Sequence, residues 1–413
     1  MDFDIIVLGA GMIGVSSAIA LQQRGLRVAL LDRRAPGEET SHGNAGLLER
    51  AAVVPYGFPR DLASVLRIGR NRSTDVRYQP SSLLQSTPWL WRYFRASAPH
   101  RLAAAARDML PLISRSLDEH ATLIAAANLQ DLCSDDGLYE AYRSEAGFAS
   151  EAANARRIAA EHGLQLQILD ATQLRAAEPG LGEGFAGAVH WRDPQRISDP
   201  GALTRGYAAY FESLGGTVLQ QAATALTPDG SGWQVVTSGG TLRAAQVVVA
   251  MGPWSDDIFQ SLGYRIPLQT KRGYHMHYRP LGPGLNYTVA DVEGGFVVSP
   301  MQRGLRIATG VELARRDAAP NYAQLEQAEA LARGLFPLGE RLDATPWLGS
   351  RPCLPDMRPA LGAAPRHKGL WFNFGHAHHG LTLGPVCGQL LAQVICGETP
   401  FTDPAPYAPA RFL

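Results

Sequence analysis

The chain has 413 residues, 46% of them hydrophobic, with 38 basic and 38 acidic side chains. Such a length holds two or three domain-sized units with ample core material, which argues against disorder. A balanced charge excludes a polyanion-coating role, so no nucleic-acid partner is expected. All the basic residues except Lys271 and Lys368 are arginines, which reads as GC-rich codon usage before it reads as function. Cys133, Cys353, Cys387 and Cys396 are scattered without a C-x-x-C pair. They fit a reducing compartment better than a disulfide scaffold or structural zinc site. Met1-Asp2-Phe3-Asp4 carries acid where a secretory leader needs base, and no apolar run reaches the ~18 residues of a membrane span. A cytoplasmic protein is expected.

Asp4–Leu8 is a short apolar run of the kind that forms a buried parallel strand. It leads into Gly9-Ala10-Gly11-Met12-Ile13-Gly14, a G-x-G-x-x-G, and then into helical spacing over Val15–Gln23. A second strand, Arg27–Leu31, ends at Asp32. The first glycine turns the chain, the second admits a pyrophosphate, and the third lets the helix lie on the strand. The helix N-terminus then faces the phosphates, and Asp32 is placed to accept hydrogen bonds from a ribose. Arg33 follows it. An acid here disfavours NADP. With strand, turn, helix, strand and acid in register, the chain is expected to bind a dinucleotide.

Glu39–Gly46 is too polar and small for an ordinary strand or helix. Arg60–Arg101 holds eight arginines against Asp61 and Asp75, around Pro88-Trp89-Leu90-Trp91-Arg92-Tyr93-Phe94-Arg95. Two readings stay open for this stretch: a bilayer interface with anionic lipid, or a core-facing aromatic helix with a basic outer face. Helical spacing follows at Arg101–Ala127, Ala149–His162 and Ala202–Leu214. Strands are expected at Thr217–Gln220, Trp233–Thr237, Thr241–Val249, Gly273–Tyr278, Gly295–Pro300, Leu305–Val311 and Gly369–Phe374. A last helix is expected over Val386–Ile395.

Several of these segments together resemble the FAD-dependent amino-acid oxidoreductases of the D-amino-acid oxidase superfamily. The carriers are Thr40-Ser41-x-x-Asn44-Ala45-Gly46, Ala250-Met251-Gly252-Pro253-Trp254-Ser255, Gly349-Ser350-Arg351-Pro352 with Pro355-Asp356, and Gly375-His376 followed by Gly380-Leu381-Thr382. The D-amino-acid dehydrogenase branch is the most similar, from the Thr40–Gly46 segment and Ser86–Phe94. The resemblance implies an α/β, Rossmann-like FAD-binding domain that is discontinuous in sequence, formed by residues 1–54, 198–262 and 346–413. An α+β substrate domain, residues 55–197 and 263–345, would carry a mixed or antiparallel sheet plus helices. It also implies that Thr40 and Ser41 bind the pyrophosphate region, while Asn44, Ala45 and Gly46 pass the flavin ring. Ala250, Gly252, Trp254, Gly375, His376, Gly380, Leu381 and Thr382 would lie near the cofactor.

Oxidising an amine at Cα with a flavin needs a neutral amine, a Cα–H aimed at the acceptor, and a clamped carboxylate. By the resemblance, Arg351 supplies the clamp, since a guanidinium presents two parallel N–H groups to a carboxylate. The alternative is an arginine tied to a loop acid. Tyr274 matches a position over the substrate, against the alternative of a core tyrosine. His378 and His379 are candidates for the substrate pocket and His376 for a structural place near the flavin. His376-x-His378-His379 and His275-x-His277 lack the carboxylate spacing of a metal site, and no metal is expected. Cys353 sits poorly for covalent attachment, so the FAD is expected to be non-covalent. The implied reaction is oxidation of a D-amino or D-imino acid, such as D-proline or cis-4-hydroxy-D-proline. Electrons would pass to a quinone or carrier protein, with peripheral contact at the inner membrane one option. A glycine- or sarcosine-type oxidase that makes peroxide is the alternative, as is a flavoprotein subunit of a heteromeric dehydrogenase.

Overall fold

The computed structural model describes residues 1–413. The strands Phe3–Leu8 and Val28–Asp32 have no polar face to show water, and they lie side by side and parallel inside an eight-stranded sheet. Thr217–Gln220 extends the sheet beyond Val28–Asp32, and Gly240–Val249 runs parallel on the other side of Phe3–Leu8. Leu370–Phe374 continues the parallel core. Alternate residues serve opposite faces. Ile5, Val7, Val28 and Leu30 pack under a helical layer, while Ile6, Leu8, Ala29 and Leu31 face Ile258, Phe259 and Tyr264. The helical layer joins Met12–Gln22, Pro99–Ala126, Pro200–Ser213 and Gly380–Ile395 in one apolar cluster.

An eleven-stranded mixed sheet is built on the long strand Gln269–Pro280. It pairs antiparallel with Gly304–Thr309 and Trp347–Cys353, whereas Thr288–Asp291 runs parallel to Leu138–Tyr142. Trp347–Cys353 thus belongs to this second sheet, although it lies past the boundary at residue 346. Antiparallel pairing with Gln269–His275 captures it. Pro99–Ala126 departs from the expected division too, packing on the dinucleotide core rather than on the second sheet.

The aromatic segment lies within the helix Pro80–Ala96. Trp89 and Tyr93 point inward, and Trp91 is 60% exposed.

The last helix starts at Gly380, six residues before the expected Val386, and carries Pro385 inside it. Proline has no N–H to offer the carbonyl four residues back, which here is Leu381 O. The buried His120 makes good the loss, its Nε2 lying 2.8 Å from that oxygen. A carbonyl only accepts, so Nε2 carries the proton and Nδ1 accepts from the Tyr207 hydroxyl at 3.0 Å. One neutral imidazole therefore binds three helices together.

Burial pushes His120 down to about 4 from its ordinary 6.5. Its folded pKa lies below its unfolded one, so the stability it contributes is present above pH 6.5 and lost as pH falls toward 4. The melting temperature should drop between pH 7 and pH 5. His120→Gln, which can still donate to Leu381 O without titrating, should show a shallower drop. Equal slopes for the two proteins would place the acid sensitivity elsewhere.

Candidate active site

The glycine turn comes first because everything else is arranged around it. A Cβ on Gly14 would sit 1.7 Å from Gly9 O, so only glycine lets the helix Met12–Gln22 lie this close to the strand. Ala10 N–H donates to Asp32 Oδ2 at 2.7 Å and Arg34 N–H donates to Oδ1 at 3.1 Å, which holds the carboxylate at the strand end. Met12 N–H, in the first turn of the helix, donates to Ser41 Oγ at 3.0 Å. A cavity of about 1280 Å³ runs from Gly11, Ile13 and Asp32 along Thr40–Ser41 and Asn44–Ala45 to Arg351. That exceeds the roughly 300–1,000 Å³ of a single small-ligand pocket and leaves room for a dinucleotide with a substrate beside it. The glycine turn, the acid and the length of the cavity fit FAD.

The loop beside the cavity is shaped by its own side chains. Asn44 Oδ1 accepts from Gly46 N–H at 2.8 Å and from Leu47 N–H at 3.3 Å, so its amide oxygen serves the turn. Thr40 borders the cavity, and its Oγ1 donates to Ser350 O at 2.8 Å. Arg33 lies 4.3 Å over the Trp254 ring, at the wall that also includes Ala250 and Gly252. Gly14, Gly46, Gly375 and Thr382 stand behind the wall. Thr382 Oγ1 accepts from Glu49 N–H at 3.0 Å, which ties the loop to the last helix.

Arg351 borders the cavity from the strand Trp347–Cys353. Nη1 donates to Gly310 O at 2.7 Å and Nη2 to Thr309 O at 3.2 Å. Two of its five N–H donors are thus used and three remain. No loop acid ion-pairs with it, and Glu49 is the carboxylate whose charge reaches it. The guanidinium lies across Gly273, where a Cβ would meet Nη2 at 2.7 Å.

Tyr274 borders the cavity, but its hydroxyl is engaged within the protein. Its hydroxyl donates to Glu312 at 2.6 Å and accepts from Arg272 Nη2 and Asn321 N–H, each at 2.9 Å. Arg272 is fully buried and pairs with the same Glu312. Both side chains are committed to the far face of the strand, and its Lys271 and Gly273 share the Arg351 side.

His378 and His379 do line the cavity, together with Glu49, which the sequence reading passed over. Glu49 Oε2 lies 3.4 Å from His379 Nδ1 and 4.0 Å from His378 Nε2, and neither nitrogen has a hydrogen-bond partner. These ligating atoms all fall within 4.8 Å of one another, close enough to share a proton or hold a cation. Burial, reinforced by the charge of Glu140, raises Glu49 to about 7. Burial lowers His379 to about 4 and His378 well below the usual imidazole range. Near neutrality both rings are uncharged and Glu49 is poised to take a proton. His376 is buried and bridges to Cys353, and the next residue, Ala377, has φ +52°. Such strain in a non-glycine residue gathers at functional sites.

Comparison with known proteins agrees with this geometry. A family model described as FAD dependent oxidoreductase matches residues 4–394. The chain is 31% identical to a D-amino-acid oxidase of Bradyrhizobium diazoefficiens, over 99% of both chains. It is 28% identical to a D-amino acid dehydrogenase of Chromohalobacter salexigens, over 97% of both. It is also 28% identical to a glycine oxidase of Pseudomonas aeruginosa, over 100% of both. The glycine oxidase structure from Geobacillus kaustophilus superposes with a TM-score of 0.77 at 22% identity, covering 100% of this chain and 99% of that one, which shows the shared fold.

Cys353 is buried, and burial raises its thiol, which disfavours the thiolate needed for attachment. The purified protein should be yellow, and acid precipitation should release all its flavin into the supernatant. Flavin left on the pellet would mark a covalent link.

Proposed function

The chain belongs to the family of FAD-dependent oxidoreductases, and from that premise we propose that it oxidises the Cα–N bond of a D-amino acid or cyclic D-imino acid. The observation that carries the reading is Arg351, a guanidinium with three unused donors facing the cavity that fits the dinucleotide. FAD, when bound, supplies a two-electron acceptor for hydride. Arg351 takes the substrate carboxylate in a planar, charge-assisted contact, which fixes the orientation of Cα. Glu49, beside His378 and His379, receives the proton that the substrate ammonium must lose before its lone pair can assist. The product is the imino acid.

Arg351→Leu removes one partner of a carboxylate pair in a buried site, at a cost of about 2–5 kcal/mol. At about 1.4 kcal/mol per decade, kcat/KM should fall roughly thirty- to several-thousand-fold. Arg351→Lys should recover part of that, because it keeps the charge and loses the fork. Flavin content should stay at the wild-type level in both. Glu49→Gln should act differently. Wild-type kcat/KM should climb with pH through about 7, and the amide should flatten that limb. Near-normal kcat/KM in Arg351→Leu with full flavin would move the clamp elsewhere.

The acceptor is read as a membrane quinone. The helices Leu62–Gly69 and Pro80–Ala96 both border the cavity, and they expose Leu62, Leu66, Leu84 and Trp91 beside Arg92, Arg95 and, just past the first helix, Arg70. Apolar and aromatic side chains among arginines suit an anionic bilayer surface, although no helix is long and apolar enough to cross a membrane. A screen of D- and L-amino acids should show D-specific reduction of a quinone analogue faster than of oxygen. The protein should also sediment with anionic vesicles at low salt and leave them at high salt. Stoichiometric peroxide at the rate of quinone-analogue reduction would make it an oxidase.

A further inference from the structure

Lys271 stands in the strand Gln269–Pro280 directly opposite Arg351 and borders the same cavity. Two cations on neighbouring strands repel, and such a pair destabilises a sheet unless anions join it. The charges that reach Lys271 are those of Cys353 and Arg351, with no carboxylate among them. Burial keeps the Cys353 thiol protonated, so it is no counter-anion. The ammonium lies 4.1 Å from the Tyr93 ring centre and 5.2 Å from that of Trp89, which shields its stem and leaves its donors unmet. Trp89 borders the cavity at the same place, and its buried indole Nε1 also lacks a partner. Burial lowers the Lys271 ammonium from its ordinary range, and a half-buried cation and a buried N–H donor are each costly when unpaired. The sequence adds a signal of its own, since a chain that otherwise uses arginine everywhere but Lys368 has a lysine here.

We infer that Lys271 and the Nε1–H of Trp89 form a second anion subsite beside Arg351, and that the substrate is an acidic amino acid carrying a side-chain carboxylate. The inference rests on the amino-acid reading above. Arg351 takes the α-carboxylate, Glu49 faces the amine, and Lys271 takes the distal acid. A neutral side chain of the same size leaves the lysine and the indole unpaired.

The test compares each D-acid with its own amide, D-glutamate with D-glutamine and D-aspartate with D-asparagine, on the holoenzyme at pH 7. For at least one pair, kcat/KM for the acid should exceed that for the amide tenfold or more. Lys271→Met should bring the ratio to about one, and Lys271→Arg should keep part of it. Trp89→Phe should lower the ratio less, with flavin content unchanged. A wild-type ratio near one for both pairs, or a ratio unchanged in Lys271→Met, would overturn the subsite. Calorimetry with amine-free ligands separates this outcome from failure of the amino-acid reading. Glutarate should bind at least tenfold more tightly than butyrate, and Lys271→Met should erase the difference. If neither enantiomer of any amino acid is oxidised while glutarate keeps its advantage, the amino-acid reading fails and the anion subsite stands. Equal binding of glutarate and butyrate overturns the subsite whatever turnover shows.

Discussion

The cavity depends on one buried guanidinium that has no acid of its own. Arg306, in the second sheet, donates through Nη1 to His42 O at 3.0 Å and to Asn44 O at 2.6 Å, gripping the loop that walls the dinucleotide site. Its Nε donates to His277 Nε2 at 3.0 Å, and His277 Nδ1 lies 2.7 Å from Asp343 Oδ2. The polarity of this chain follows from protonation. Burial and the charge of Arg306 lower His277 to about 4, so its Nε2 lone pair is free to accept while Nδ1–H points at the aspartate. Burial lowers Arg306 only to about 10, and it remains a cation at neutral pH. Asp343, His277 and Arg306 thus carry a carboxylate's influence to a loop of another sheet.

The loop is held from other sides as well. Ser299 Oγ donates to Ala45 O at 2.8 Å, and Ile197 N–H donates to Gly46 O at 2.7 Å. Thr382, at the start of the last helix, holds the backbone of Glu49. That helix is complete only because His120 satisfies the carbonyl that Pro385 strands. Two neutral histidines and one buried arginine therefore support the loop and the helix that flank Glu49. Preorganisation of this sort is what a reaction needing a fixed carboxylate and a waiting proton acceptor requires.

Local motifs were legible in the amino-acid sequence because their physics is local. Gly9, Gly11, Gly14 and Asp32 answer to a turn, a close approach and a strand end within one βαβ unit, and all fall where the spacing puts them. Arg351, singled out by its motif, borders the cavity. Other positions needed partners far along the chain. Asn44 and Thr40 border the cavity as their motif implies, while their side chains also bond to Gly46 N–H and Ser350 O, which no local pattern announces. The last helix starts before Pro385 because His120, distant in sequence, satisfies the carbonyl that the proline strands.

Sequence by itself determined the dinucleotide turn, the alternation of strands and helices, and the presence of an arginine suited to a carboxylate. Tertiary structure alone decided which face of each strand meets the cavity. Along Lys271-Arg272-Gly273-Tyr274 the side chains must alternate, but alternation does not say which set faces in. The pairing of this strand with Trp347–Cys353 turns Lys271 and Gly273 toward Arg351 and commits Arg272 and Tyr274 to Glu312 behind. A shift of one residue exchanges the set of side chains beside Arg351 for the set beside Glu312. Only the packing of two sheets and a covering helix removes that ambiguity, because it rests on contacts between residues far apart in the chain.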